Sequence, residues 1–180
     1  MSSPKLPDKL NKLNKTSSAS QPTKKKQPKT QNASRAQTGA RPSPKPRKPP
    51  RLPNDVVQVL LEVAKNARKN AYVPYSRYRV GSALLAASGN VYAGCNVENA
   101  SYGISLCSER TAYAKAISEG ERDFIAIAVL TDDAGTPCGA CRQFMAEFGL
   151  ETIVILADKK SNYTVTTVGG LLPDAFVLKH

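Results

Sequence analysis

Every aromatic residue and every cysteine of this 180-residue chain lies after Arg51. Residues 1–51, called the tail below, contain nine of the 13 prolines, 14 of the 26 basic residues and one of the 14 acidic residues. A segment without aromatic side chains and with few large apolar ones cannot offset its ordering entropy by burial, so the tail is predicted to be disordered. Residues 52–180 have the size of one ordinary domain.

The formal net charge of +12 comes from the tail, since the tail alone carries +13 and the remainder −1. Segments 23–29 and 42–51 combine clustered cations with a backbone that proline keeps extended. The tail is interpreted as a solvated leader or as a weak, non-specific binder of nucleic acid or another polyanion. Organelle targeting, nuclear localisation and proline recognition are the further hypotheses. The net charge therefore says nothing about what residues 52–180 bind.

Membrane and secreted classes are not favoured by the sequence. It contains no run of about 18 apolar residues, and its start lacks the apolar core of a secretory signal. A cytoplasmic location is therefore expected, in which the four cysteines stay reduced. Reduced cysteines that are close in sequence favour a metal site or a catalytic thiol over a disulfide framework.

Helical and strand patterns alternate beyond the tail. The first helix is predicted to begin at Asn54, whose side chain can cap it. Its apolar positions recur at helical spacing and are Val56, Leu60, Val63 and Ala67. Further helices are predicted at 107–118 and 138–148, and strands at 79–86, 91–97, 124–130, 153–157 and 163–167. This order predicts an α/β fold, a three-layer α/β/α sandwich with a mixed sheet of about five strands.

Three cysteines have the spacing of a metal site. Cys138 and Cys141 are predicted in the first turn of one helix, on one face, where they can hold a single ion. Cys107, at the start of another helix, can supply a third thiolate. Three ligands and one open position are typical of catalytic zinc, whereas four ligands are typical of structural zinc. Cys95 could instead close the coordination sphere, and a structural zinc knuckle is the alternative interpretation.

Charged residues lie within three positions after Cys107 and directly after Cys141. Glu109, two residues after Cys107, would lie beside the open position and could take a proton from bound water. Zinc with three thiolates is a net anion, which two helix N-termini would partly offset. Arg110 and Arg142 are candidates for hydrogen-bonding the thiolates, with an ordinary surface ion pair as the alternative for each.

The segments CSER, from Cys107, and PCGACRQ, around Cys138, resemble the zinc-dependent cytidine deaminase family. The resemblance extends to VPYSRYRVGSALL, GCNVENASY and LLPDAF, and so covers almost everything from about Asn54 onward. Ser108 stands where the family usually has alanine, and because both residues are small, little effect is expected. A cysteine at 107 resembles the compact homotetrameric nucleoside deaminases, since polynucleotide-editing relatives usually have histidine there.

The resemblance implies one zinc ion per subunit, held by Cys107, Cys138 and Cys141. It implies hydrolytic deamination of cytidine and deoxycytidine to uridine and deoxyuridine with release of ammonia, as in pyrimidine salvage. Glu109 is implied to accept the proton of the attacking water and to return it to N3 and then to the leaving amine. Arg110 is implied to compensate the thiolate charge.

The resemblance also implies substrate contacts. Asn96 and Glu98 match the pair that hydrogen-bonds the ribose, with a turn-stabilising pair as the alternative. Tyr72 corresponds to the aromatic residue that lies against the pyrimidine ring. Tyr102 and Phe176 resemble residues that reach a neighbouring subunit's site in a homotetramer, with core packing as the alternative.

Three other functions are compatible with parts of the sequence. An antibiotic-nucleoside deaminase of the blasticidin S type has a similar zinc site, although Arg110 and the LLPDAF segment favour the cytidine interpretation. An RNA-editing or nucleic-acid-binding protein could be recruited through the basic tail. A purely structural zinc protein would bind the metal without turning over a nucleoside.

Overall fold

The computed structural model describes residues 51–176 and residue 178. The predictions about the tail, namely disorder, polyanion binding and targeting, therefore concern residues that lie almost entirely outside the described part. The elements along the chain are α1 (Asn54–Arg68), β1 (Gly81–Ala86), β2 (Val91–Cys95), α2 (Ser108–Ser118), β3 (Phe124–Leu130), α3 (Gly139–Ala146), β4 (Ile153–Ala157), β5 (Tyr163–Thr167) and α4 (Val168–Leu171). None of the described helices is long and apolar enough to cross a membrane.

The strands form one five-stranded sheet in the order β2-β1-β3-β4-β5. Only β3 and β4 pair in parallel, and the other neighbours are antiparallel. A parallel pair needs a crossover connection, and α3 lies within the segment that provides it. The β1–β2 turn contains Gly89 at φ +89°, a conformation that glycine adopts without a steric penalty. The predicted mixed, five-stranded sheet is confirmed.

Helices cover both faces of the sheet, because alternate residues of each strand point to opposite sides. Ala83 and Leu85 of β1 face α1 and join one apolar core cluster. Leu84 and Ala86 face the opposite way and pack in a second cluster with side chains of α2 and α3. The predicted three-layer α/β/α sandwich is thus observed.

Two glycines let the helices approach the sheet closely. A Cβ atom on Gly81 would lie 2.0 Å from the Ala64 carbonyl oxygen of α1. A Cβ atom on Gly94 would lie 2.3 Å from the Ser108 carbonyl oxygen, at the start of α2. Both distances are too short for any side chain, so each helix can lie this close to the sheet only because the glycine has none.

The prediction that Asn54 caps α1 is wrong. Pro53 occupies the N-cap position, and no side chain caps the helix. Asn54 is the first helical residue, and its Oδ1 accepts a hydrogen bond of 3.4 Å from the Tyr163 hydroxyl on β5. The buried stripe of α1 also differs from the predicted one. Leu61 and Ala64 are buried although they were not predicted to be, and Val63 is only half-buried.

The first two strands are shorter than predicted. The predicted strand 79–86 begins only at Gly81, since the Arg79 guanidinium turns back to the carbonyl oxygens of Lys69 and Ala71. The predicted strand 91–97 ends at Cys95, because Val97 pairs with Leu106 outside the sheet. This departure of the chain opens the edge at which the candidate site lies.

Candidate metal centre and substrate cleft

Two helix N-termini bring three thiols together. Cys107 is the N-cap residue of α2 and Cys138 that of α3, and both have extended backbones. Cys141 lies in the first turn of α3 and is buried. Cys107 and Cys138 therefore immediately precede their helices. Each helix begins one residue later than predicted. The partial positive charge of both helix starts faces the thiols.

The spacing of the sulfur atoms fits a tetrahedral metal. The three Sγ atoms lie within 4.8 Å of one another, and those of Cys107 and Cys138 are 3.8 Å apart. Zn–S bonds of about 2.3 Å at tetrahedral angles place two sulfur atoms about 3.8 Å apart. Among the described residues, the cysteines placed to hold a metal together are Cys107, Cys138 and Cys141, and Cys95 is not one of them. The arrangement thus favours three ligands and an open position over a closed sphere.

The pKa values of two thiols of the cluster are shifted in opposite directions. The hydrogen bond from Cys141 and the nearby Arg110 guanidinium lower the pKa of the Cys107 thiol. The pKa of Cys141 is raised, because its thiol donates to Cys107 and is buried. Cys107 is therefore the more acidic of these two thiols. All four cysteines of the chain are free, as expected for reduced thiols.

Arg110 lies beside the thiols, and Arg142 does not contact them. The Arg110 Nη2 atom donates to the Ser105 carbonyl oxygen at 2.8 Å and lies 4.0 Å from the Cys107 Sγ atom. Its Nε atom is buried and has no hydrogen-bond partner among the described residues. An unpaired buried donor is costly, and negative charge on the cluster would offset that cost. Arg142 instead donates to the carbonyl oxygens of Pro137 and Leu171. It therefore holds the segment before α3.

Glu109 is a buried carboxyl group in the first turn of α2. Only 4% of its surface is exposed. Burial raises its pKa, and the negative charge of Cys107 adds to this rise. The Ser108 hydroxyl donates a hydrogen bond of 3.0 Å to the Glu109 Oε2 atom. A carboxyl group with a raised pKa holds a transferred proton more readily than an ordinary carboxyl group does.

A cleft of about 470 Å³ opens from Cys107. Its walls come from the segment after α1, the chain beyond β2 and the segment before α2. The lining residues are Tyr75, Ser76, Asn96, Glu98, Tyr102, Ser105, Leu106 and Cys107. A volume of this size suits a small organic molecule that combines an apolar ring with hydroxyl groups.

Asn96 and Glu98 both line this cleft and both hold its wall. The Asn96 Oδ1 atom accepts from the Val80 amide, and its Nδ2 atom donates to the Tyr78 carbonyl oxygen, each at 2.8 Å. The Glu98 Oε2 atom accepts from the Tyr75 and Ser76 amides at 2.9 and 3.2 Å. A hydrogen bond from the Ser76 hydroxyl to the Glu98 Oε1 atom is the main cause of the lowered pKa of Glu98.

The predicted aromatic contacts lie at the cleft or at the surface. Tyr102 lines the cleft, is 72% exposed, and meets Tyr75 edge to face with ring centroids 5.7 Å apart. Tyr72 is 58% exposed and is not among the lining residues. Phe176 is 69% exposed, and its backbone is held by two hydrogen bonds to the Gln143 side chain. Within a single subunit, neither Tyr102 nor Phe176 is a core residue.

Sequence reasoning missed part of the wall. Tyr75, Ser76, Ser105 and Leu106 line the cleft but were not predicted as site residues. The first two belong to the aromatic, polar YVPYSRY segment, whose composition was a usable signal. Ser105 and Leu106 carry no such signal, since only the pairing of Leu106 with Val97 brings them to the site.

Three thiols at two helix starts, a buried carboxyl group beside them and an adjoining open cleft define a class of protein, the zinc-dependent hydrolases. The α/β/α sandwich that carries this site limits which families of this class the chain can belong to. Residues 55–157 match the sequence model of the cytidine and deoxycytidylate deaminase zinc-binding region. The chain belongs to this family.

Curated relatives agree with this assignment. A cytidine deaminase of Sporosarcina psychrophila is 50% identical over 123 residues, which are 67% of this chain and 90% of that protein. A cytidine deaminase of Halalkalibacterium halodurans is 52% identical over 122 residues, 66% of this chain and 92% of that one. Nearly the whole of each relative is therefore represented here.

Solved structures agree as well. A crystal structure of cytidine deaminase from Burkholderia pseudomallei has a TM-score of 0.64 and 50% sequence identity, and the match covers 66% of this chain and 98% of that one. The cytidine deaminase of Mycobacterium tuberculosis has a TM-score of 0.60 and 40% identity, covering 68% and 98%. Zinc is the cofactor of this family region, and the thiol cluster fits it.

Proposed function

We propose that this chain is a cytidine deaminase, a hydrolase that converts cytidine and water to uridine and ammonia. Relatives that share half of its aligned residues are cytidine deaminases. The observation that carries the proposal is the buried Glu109 carboxyl group, which interacts with Cys107 and Cys141 of the three-thiol cluster at the N-termini of α2 and α3. This arrangement provides a metal ligand set and a proton carrier in one place.

Cys107, Cys138 and Cys141 would hold the zinc ion as thiolates. When bound, zinc supplies Lewis-acid chemistry that makes a water molecule nucleophilic near neutral pH. The two helix N-termini and Arg110 offset the negative charge of the thiolates. Glu109 would accept a proton from the attacking water and pass it to N3 of the pyrimidine, and would then take a second proton from the hydroxyl group formed at C4 and give it to the departing amine. The raised pKa of Glu109 suits this work, because the group must hold a proton between two transfers.

Asn96 and Glu98 are assigned to the ribose. A carboxylate has about four acceptor positions, and three of those on Glu98 are used by Tyr75 and Ser76. The remaining position can accept from a ribose hydroxyl. Asn96 likewise keeps one N–H and one acceptor position beyond its two bonds to the backbone. Wall support and ribose binding are therefore compatible roles. They predict turnover of cytidine and deoxycytidine in preference to free cytosine.

The pyrimidine ring needs an aromatic or apolar surface. Tyr75 lies in the cleft wall, which supports Tyr75 for this contact more than Tyr72, the residue assigned from the resemblance. Replacing each tyrosine by alanine and measuring KM for cytidine distinguishes them. A larger rise of KM in Tyr72→Ala than in Tyr75→Ala would restore the original assignment.

A homotetramer is proposed as the assembled form. Tyr102, Ile104 and Phe176 are each at least 65% exposed in the single subunit, and large exposed apolar groups near a cleft are typical of interaction sites. In the assembly, Tyr102 and Phe176 would reach the cleft of a neighbouring subunit. Light scattering coupled to gel filtration measures the mass, and a monomer with full activity would contradict this proposal.

The cytoplasm is the proposed location, because zinc-binding thiols must remain reduced. The catalytic domain is proposed to begin at residue 52, with the tail as a separate segment that binds polyanions weakly. A chain lacking residues 1–51 should keep its cytidine turnover and lose its retention on RNA at low salt. Lost turnover would contradict this division of the chain.

The test of the proposed function is a zinc-to-chain ratio together with the loss of cytidine absorbance in the ultraviolet. One zinc per subunit and steady conversion to uridine are expected. A full zinc content without conversion would identify a structural zinc protein. Conversion of blasticidin S in preference to cytidine would identify the antibiotic-nucleoside class, and editing of RNA that requires the tail would identify the RNA-editing class.

A further inference from the structure

Behind the carboxyl group of Glu109 lies a chain of two buried hydroxyl groups. The Ser108 Oγ atom is 3.0 Å from the Glu109 Oε2 atom and 2.6 Å from the Ser82 Oγ atom. Both serines are fully buried, and Glu109 is 4% exposed. Buried polar groups of this kind are costly unless they are paired, and here each of them has a partner.

The direction of these hydrogen bonds follows from the number of protons. A serine hydroxyl has one hydrogen to donate and two acceptor positions. Ser108 donates its hydrogen to the Glu109 carboxylate, so the hydrogen between the two serines must come from Ser82. The chain therefore runs from Ser82 through Ser108 to Glu109. Donors and acceptors arranged in one direction polarise and strengthen one another.

The far end of this chain is fixed in the sheet. Ser82 lies in β1, which pairs with β2 on one side and β3 on the other, opposite Gly94 and Val129. Paired residues share a face of the sheet, so the missing side chain of Gly94 leaves room toward α2, which the backbone of that helix occupies. Any Cβ atom there would lie 2.3 Å from the Ser108 carbonyl oxygen. The missing side chain of Gly94 therefore lets Ser108 reach Ser82.

We infer that Ser82 and Ser108 are positioning residues that hold the Glu109 carboxylate in the orientation needed for proton transfer. This inference rests on the proposed role of Glu109. The expectation that serine at position 108 has little effect considered the size of the side chain alone, whereas the structure places its hydroxyl against the carboxylate.

The test compares Ser108→Ala, Ser82→Ala and the double variant. Ser108→Ala is expected to lower kcat about 10-fold with KM within about 2-fold, because a hydrogen bond to a charged group is lost. Ser82→Ala is expected to lower kcat about 3-fold, since it removes only the outer bond. The double variant should match Ser108→Ala alone, because Ser82 acts only through Ser108. Denaturant unfolding and zinc content are measured on all three variants, so that a loss of kcat is read only from folded, zinc-loaded protein.

The matched control is Thr152→Val, which removes another buried hydroxyl, one bonded to the Phe124 carbonyl oxygen at 3.5 Å. It should leave kcat unchanged. Unchanged kcat in a zinc-loaded Ser108→Ala variant would overturn the inference, and so would a double variant whose loss equals the product of the two single losses. Full activity of Glu109→Gln would instead overturn the proposed role of Glu109, whereas the proposed function fails only if the wild-type protein does not convert cytidine.

A second measurement does not depend on turnover. The infrared carboxylate band of Glu109 can be identified as the difference between the wild-type protein and Glu109→Gln. Ser108→Ala should shift this band, because the carboxylate loses a hydrogen bond, and Ser82→Ala should shift it less. A band at the wild-type position in Ser108→Ala would overturn the inference.

Discussion

The two faces of the sheet differ in what they bury. On the α1 face, the core cluster consists of apolar side chains from the helix and from four strands. On the α2 and α3 face, a second apolar cluster is accompanied by buried Ser82, Ser108 and Glu109. Burying polar groups costs free energy unless they are paired. Ser82, Ser108 and Glu109 place this cost on the face that carries the candidate site, and the α1 face serves mainly to stabilise the fold.

This division predicts that variants on the two faces separate activity from stability. The largest effect on activity is expected from Cys138→Ala, which removes one thiolate of the cluster. Because metal affinity depends on the complete ligand set, both zinc and turnover should be lost. Zinc content by atomic absorption and the cytidine assay measure this result. Cys95→Ala is the matched control, since Cys95 lies outside the cluster and should retain both. A zinc-loaded, active Cys138→Ala variant would contradict the ligand assignment.

The next largest effect is expected from Glu109→Gln. The amide has nearly the same shape but cannot carry the proton, so kcat should fall by about 10²–10⁴ while zinc is retained. Steady-state kinetics and zinc content are measured on the same sample. Glu119→Gln, a change of an exposed residue at the end of the same helix, should keep wild-type kcat. Retained turnover in Glu109→Gln would show that another group moves the protons.

A smaller and more selective effect is expected from Glu98→Gln. The amide cannot accept all the bonds of the carboxylate, so KM for cytidine should rise about 10-fold. The slow turnover of free cytosine, which has no ribose, should stay unchanged. Glu151→Gln alters an exposed carboxyl group away from the cleft lining and serves as the control. An equal loss for cytidine and cytosine would assign Glu98 to the wall of the cleft alone.

The smallest effect on kcat is expected from Leu60→Ala on the α1 face. Leu60 is fully buried, so its truncation should lower the free energy of unfolding by about 2–5 kcal/mol. The folded fraction should keep wild-type kcat, because the change lies on the other side of the sheet. Denaturant unfolding and kinetics below the transition measure the two quantities. Val59→Ala changes a neighbouring residue that is 42% exposed, and it should alter neither the free energy of unfolding nor kcat. A reduced kcat in folded Leu60→Ala would break the division between the faces.

Most of the fold was predictable from residue patterns. The strands β3, β4 and β5 have the bounds that the sequence predicted. The apolar runs of β3 and β4 lie between polar residues, and β5 ends where α4 begins. Helix starts were predicted less well. Asn54 is a common capping type, but Pro53 takes the cap position. Cys107 and Cys138 occupy N-cap positions that cysteine spacing does not reveal.

The site was predictable where chemistry is local in sequence. Cysteines three residues apart share a helical face whatever the rest of the fold, and Glu109 follows Cys107 closely enough to lie near it. The contact between Ser82 and Ser108 was not predictable, because it depends on strand pairing and on the space left by Gly94. The position of Tyr75 in the cleft depends likewise on a turn held by Glu98.

The crossover that joins the parallel pair β3–β4 carries two of the three thiols, while the third lies at the start of α2. Parallel pairing between distant segments is slow to form, because loop closure precedes the contacts that reward it. In the folded chain, the three thiols lie together only because α2 and this crossover pack on the same face of the sheet. The rate at which a refolding chain takes up zinc therefore reports when these two segments meet.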